Sequence, residues 1–200
     1  MRRAALVAVL AILALPGAAG ARKPLTNLAH LDFLGDTAAP PAQAGHTTYR
    51  LSQRPRLRAL WTYAEPAGGA GRYKRLGGGD LDAATRRWSQ GAYNTDDMAR
   101  AAVVYLRHWR LTGALRSRHA GFGLLRTVAY MQTLRPGPRR GNFVLWMQPD
   151  GELNPSAEPK EEPDPSDSAD SYWLARSIWA LGEGYAAFRR ADPAFARFLR

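Results

Sequence analysis

From residue 95 to residue 112 the apolar positions Met98, Ala101, Ala102, Tyr105, Leu106 and Trp109 recur at intervals of three and four. That spacing places them on one stripe of an amphipathic helix. Asn94 or Thr95 can cap its start and Gly113 can end it. A second helix is predicted over about 115–134, with Phe122, Leu125, Val128, Ala129 and Gln132 on one face. The segment "RPGPRRG" (135–141) closes it, because proline cannot continue a helix. A third helix is predicted over about 171–190. Its large apolar residues, among them Trp173, Ile178, Trp179, Leu181, Tyr185 and Phe188, spread around the cylinder, so burial on most sides is expected. Asp192-Pro193 has the form of an N-cap and first-turn proline opening a fourth helix near Arg200. Because that helix has little room to finish, the 200 residues are expected to be the front part of a larger helical protein.

The pattern is weaker elsewhere. "LAHLDFL" (28–34) fits one or two helical turns, and "RLRALWTYAE" (56–65) fits a short helix or strand. "NFVLWMQPDGELN" (142–154) reads as extended chain turning at Pro149-Asp150-Gly151. "PAGGAGRYKRLGGGD" (66–80) reads as a flexible glycine-rich surface loop, and it lacks the glycine and lysine order of a phosphate loop. "PSAEPKEEPDPSDSAD" (155–170) reads as an acidic, proline-rich loop.

The chain start stands apart. Met1-Arg2-Arg3 precedes an unbroken apolar run from Ala4 to Leu15, then Pro16-Gly17 and the small residues Ala19-Gly20-Ala21. This is the layout of a secretory signal peptide over 1–21, with an apolar run too short to span a bilayer comfortably; the alternative is an uncleaved N-terminal anchor. The division expected is a signal peptide over 1–21, an N-terminal extension over 22–55 and an α-hairpin domain over 56–200. Export to the cell envelope or outside the cell follows, and no stable membrane span is expected after cleavage. Removing Arg2 and Arg3 with the leader lowers the formal charge from +11 to +9. The remaining arginines are dispersed, in no recognisable nucleic-acid-binding motif, so nucleic acid is not the expected partner. The chain has no cysteine, which rules out disulfides, thiolate metal sites and a cysteine nucleophile. The four histidines show no metal-ligand spacing, so neither a metal site nor a cofactor is expected.

Laid over one another, "NTDDMAR" (94–100) and "DSYWLAR" (170–176) share a capping pair, an apolar residue and Ala-Arg, each opening an apolar helix. This is the form of an αα-hairpin repeat. On these segments, with "NFVLWMQPDGELNPSAE" (142–158) between them, the chain resembles the first part of the six-hairpin glycosidase-like (α/α)-toroid proteins. The resemblance covers about 56–200. It implies a mainly α fold, with αα-hairpins forming an incomplete (α/α)6 toroid, and a sugar cleft among loops at one barrel end. It also implies a carbohydrate substrate.

Hydrolysis of a glycosidic bond needs two carboxyl groups, one donating a proton and one acting as base or nucleophile. Asp96 and Asp97 are the first candidates. The plain alternative is that both are helix-start acids complementing the macrodipole. Neighbouring residues point about 100° apart on a helix, so one can cap while the other faces a cleft. The resemblance favours a cleft role without separating the two; Asp97 is taken first and Asp96 second. Asp167 and Asp170 should share their rim if the repeat holds. Tyr93, Trp146, Tyr172 and Trp173 flank these acids and would supply stacking faces for sugar rings. The alternatives are a non-catalytic carbohydrate binder and a binder of polyanions, with core packing as the plain role of each aromatic.

Overall fold

The computed structural model describes residues 26–154, 165–167 and 169–200. The expected signal peptide and most of the acidic loop lie outside them. Among the described residues the chain forms five α-helices and seven short strands. A short helix α1 (Ala29–Leu34) leads into β1 (Gly35–Ala38), which pairs antiparallel with β2 (Leu57–Leu60). β3 (Tyr63–Pro66) and β4 (Tyr73–Leu76) make a hairpin. β5 (Tyr93–Asn94), β6 (Trp146–Met147) and β7 (Leu153–Asn154) form a third small sheet in that order.

The mainly α toroid is therefore not the fold: three antiparallel sheets accompany the helices, and the architecture is mixed α and β. The physical reason is local. Each strand is two to four residues long, too short to show a period of two, and each is defined by a partner elsewhere in the chain.

The helices follow the apolar pattern more closely. α2 (Thr95–Thr112) buries Met98, Ala102, Tyr105 and Leu106 and ends at Gly113 with φ +73° and ψ +3°, a left-handed C-cap. α3 (Leu115–Tyr130) packs back on α2 across the two-residue connection. It stops four residues earlier than expected because the next residues switch to sheet-like pairing. The Val144 N–H donates to the Met131 carbonyl (3.0 Å) and the Thr133 N–H to the Asn142 carbonyl (2.9 Å). α4 (Tyr172–Phe188) buries Trp173, Ala180, Gly184 and Phe188, while Ile178 and Trp179 stay exposed. It is buried on one face rather than on most sides. α5 (Pro193–Leu199) starts as expected, with the Asp192 carboxylate accepting the Phe195 N–H at 3.0 Å.

Arg126 ties the chain before β2 to α3. It is 4% exposed, and its guanidinium donates to the carbonyls of Tyr49 (2.9 Å), Arg54 (2.5 Å) and Arg56 (3.1 Å). Burial pulls its pKa below the ordinary value, with the nearby Arg54 adding to that. Among the described residues no helix is long and apolar enough to cross a membrane.

Candidate functional site

The start of α2 shows what its two aspartates do. Asn94 is the N-cap, its side-chain oxygen accepting from the N–H groups of Asp96 (2.8 Å) and Asp97 (3.4 Å). Neither aspartate is needed as the cap. Asp96 is 4% exposed, and its Oδ2 accepts from Arg176 of α4 (2.6 Å) and Arg100 (3.1 Å). Further along, Arg107 donates to Glu183 at 2.6 Å. The two contacts set α2 and α4 side by side and parallel, with their starts at one end. Asp97 pairs with Arg100 and faces a recess of about 240 Å³ whose walls include Leu31, Leu34 and Trp61. Burial raises the Asp97 carboxyl above the usual range, with Arg100 opposing the rise and the Asp96 charge adding to it.

Asp167 lies at this same end. The Thr95 N–H donates to the Leu145 carbonyl (2.8 Å), and the Leu145 N–H to the Ser166 carbonyl (2.7 Å). Asp167 nevertheless faces a different recess, beside Thr133 and Arg139. Asp170 is exposed. The aromatic residues separate. Tyr93, Trp146 and Trp173 are core, at 1%, 5% and 8% exposure, and the Trp173 indole N–H donates to the Phe143 carbonyl at 2.8 Å. Tyr172 is exposed, with the Arg176 guanidinium over its ring. The structure does not gather these residues into one cleft.

A more open cleft lies between residues 80–89 and the β6–β7 turn. It encloses about 660 Å³, and Trp88, Asp80, Asp82, Gln148, Glu152 and Asn154 are on its walls. Residues 80–89 fold back on themselves: the Asp82 N–H donates to the Arg87 carbonyl (2.9 Å) and the Ser89 N–H to the Asp80 carbonyl (2.9 Å). Asp82 turns the tip, accepting from the Ala84 N–H and the Thr85 hydroxyl, both at 2.8 Å. These hydrogen bonds, the Thr85 hydroxyl foremost, hold its carboxyl below the ordinary range, so it is ionised at neutral pH. Gln148, in the β6–β7 turn, fixes the Trp88 backbone by a reciprocal pair: its Oε1 accepts the Trp88 backbone N–H (3.1 Å) and its amide donates to the Trp88 carbonyl (2.7 Å). Asn154 donates to the Ser89 carbonyl at 2.9 Å. Arg87 and Glu152 close one side as an ion pair at 2.8 Å.

The glycine run before this cleft is packing, not slack. A Cβ on Gly77 would lie 2.5 Å from the Trp88 ring and 2.6 Å from the Gly91 carbonyl oxygen. One on Gly78 would lie 2.6 Å from the Trp146 ring. The expected flexible loop is thus partly β4 and partly a floor for two indoles. Gly77→Ala is expected to lower stability by about 1–3 kcal/mol, the usual cost of overpacking, read as a fall in the urea midpoint at constant slope. An unchanged midpoint would refute the packing role.

Trp88, Asp80 and Asp82 were not among the residues singled out from sequence. The available signal was an indole between two runs of small and polar residues, "DAATRRWSQGA" (82–92). No protein-family model matches the chain, and no curated protein matches it. The six-hairpin glycosidase-like resemblance thus has no support from family or relative, and the mixed fold overturns it.

Proposed function

We propose that the protein binds a neutral carbohydrate in the Trp88 cleft. One observation carries this: a half-buried indole, packed against Gly77 and carried on a backbone that the Gln148 side chain ties at both N–H and carbonyl, stands in an open cleft with an ionised carboxylate and amide groups. An indole face takes the C–H surface of a sugar ring, and fixed carboxylate and amide oxygens accept its hydroxyls. A cleft of this kind, apolar at one wall with a few placed polar groups, is the usual form of a small-ligand site. Export, the expectation from the leader-like residues 1–21, would bring the protein to where such polymers lie. The geometry favours binding over turnover. Hydrolysis by a carboxyl pair needs one acid held protonated, and Asp97, which burial pushes upward, lies in the Leu31–Trp61 recess instead.

The test is calorimetric titration with soluble neutral oligosaccharides: cellohexaose, xylohexaose, mannohexaose and hexa-N-acetylchitohexaose. At least one should bind, and Trp88→Ala should weaken it about tenfold or more, as removal of a central aromatic anchor does. No binding across the panel, or undiminished binding by Trp88→Ala with the fold intact, would overturn the proposal.

A further inference from the structure

A second recess, of about 370 Å³, lies under the turn at 135–139 and has the makings of an anion site. Its charged walls are Arg135, Arg139 and Asp167. Asp167 is 7% exposed, and its carboxylate accepts from the Thr133 hydroxyl (3.4 Å) while sitting 3.8 Å from the Arg139 guanidinium. The recess therefore already holds one carboxylate of the chain's own. Arg135 makes no ion pair among the described residues and is exposed at the mouth. Among the described residues Arg139 and Asp167 are engaged with each other, and Arg135 is the guanidinium at the wall that is left to meet a ligand. One guanidinium balances one monoanionic group better than a dianion such as a phosphate monoester.

The recess is also pre-shaped. Pro136 and Pro138 line it and restrict its backbone. The Leu134 N–H donates to the Gly45 carbonyl at 2.8 Å, which clamps the turn to the chain ahead of β2. His46, also on the wall, has its Nδ1 3.1 Å from the Tyr130 carbonyl oxygen. A carbonyl only accepts, so the proton sits on Nδ1. Burial lowers the His46 pKa, so the ring adds no charge near neutral pH. Arginine's planar fork matches a carboxylate or sulfate edge with two parallel hydrogen bonds.

We infer that this recess binds a single monoanionic group, a carboxylate or a sulfate ester, carried by a small saccharide, with Arg135 as the main contact. The saccharide part rests on the carbohydrate reading above; the anion part does not. The experiment is a chemical-shift titration of the backbone amides of 133–141 in the full chain, with glucuronate, glucose 6-sulfate and glucose as probes. These share a ring and differ in the charged group. One or both anions should shift these amides saturably, and which of them does identifies the group. Glucose should not. Arg135→Gln should weaken the anion about tenfold, the size of a lost charge-assisted hydrogen bond, and Trp88→Ala should leave it unchanged. Added salt should weaken it further. The inference fails if glucose shifts the same amides equally, if neither anion does, or if Arg135→Gln binds like the parent. Failure of the Trp88 proposal reads separately: neutral oligosaccharides would then not bind, while the anion shifts persist.

Discussion

Arg126→Met should lower the unfolding free energy by about 3 kcal/mol. The variant keeps an unbranched apolar stem and removes five donors. It leaves three carbonyls, on Tyr49, Arg54 and Arg56, without the group that now satisfies them. Each buried acceptor so orphaned costs about 1–3 kcal/mol. The total stays near the lower end because Arg54 and Arg56 are in exposed chain, where water can reach their carbonyls. For a chain of this length the loss corresponds to roughly 6–12 °C in Tm. Arg126→Lys should recover only part, since one ammonium cannot span three acceptors that a planar fork reaches together. Urea unfolding followed by circular dichroism measures both. A loss below about 1 kcal/mol would mean that the segment before β2 is held by other contacts.

The adjacent aspartates should respond in opposite directions. Asp96→Asn is expected to cost about 2–3 kcal/mol at neutral pH. It leaves the Arg176 and Arg100 guanidinium groups without their shared counter-charge, in a pair whose acidic member is buried. Both arginines are about half exposed, 43% and 52% by side chain, so they re-solvate in part and the cost stays below that of a fully buried pair. Asp97→Asn should instead raise stability slightly at neutral pH. The sign follows from its raised pKa: folding favours the protonated carboxyl, so ionisation of Asp97 penalises the native state. The penalty is absent below the unfolded pKa, near 3.8, and grows as pH rises through the folded value. The gain from Asp97→Asn should therefore vanish as the pH is lowered to about 3.8. Stability curves from pH 3 to pH 8 for both variants test this. A destabilised Asp97→Asn at pH 7 would show that its pairing with Arg100 outweighs the burial cost.

These two predictions divide roles that "TDD" (95–97) cannot divide by itself. Asn94 supplies the cap, Asp96 fastens α2 to α4, and Asp97 is a carboxyl paired with Arg100 in a small, mostly apolar recess. The match between 94–100 and 170–176 does coincide with two helices that start at one end and run parallel. It does not produce a toroid, because β1 to β5 precede α2, and β6 and β7 follow α3, where a toroid would have further helices.

What the sequence determined by itself is the helical part. The stripe from Met98 to Trp109, the cap at Asn94, the stop at Gly113 and the Asp192-Pro193 start all appear where the spacing and capping chemistry put them. These signals act within one or two turns, so a single segment contains them whole. Tertiary structure alone decided the rest. Gly35 meets Leu60, and Tyr93 meets Met147, only through pairing across long stretches of chain. Trp146 and Trp173 look the same in sequence as Trp88, yet two are core and one borders a cleft. Burial is a property of what packs against a side chain, and for these indoles the neighbours come from distant segments. The candidate site follows the same rule. Trp88 became legible only once Gln148, 60 residues on, was seen to hold it in place.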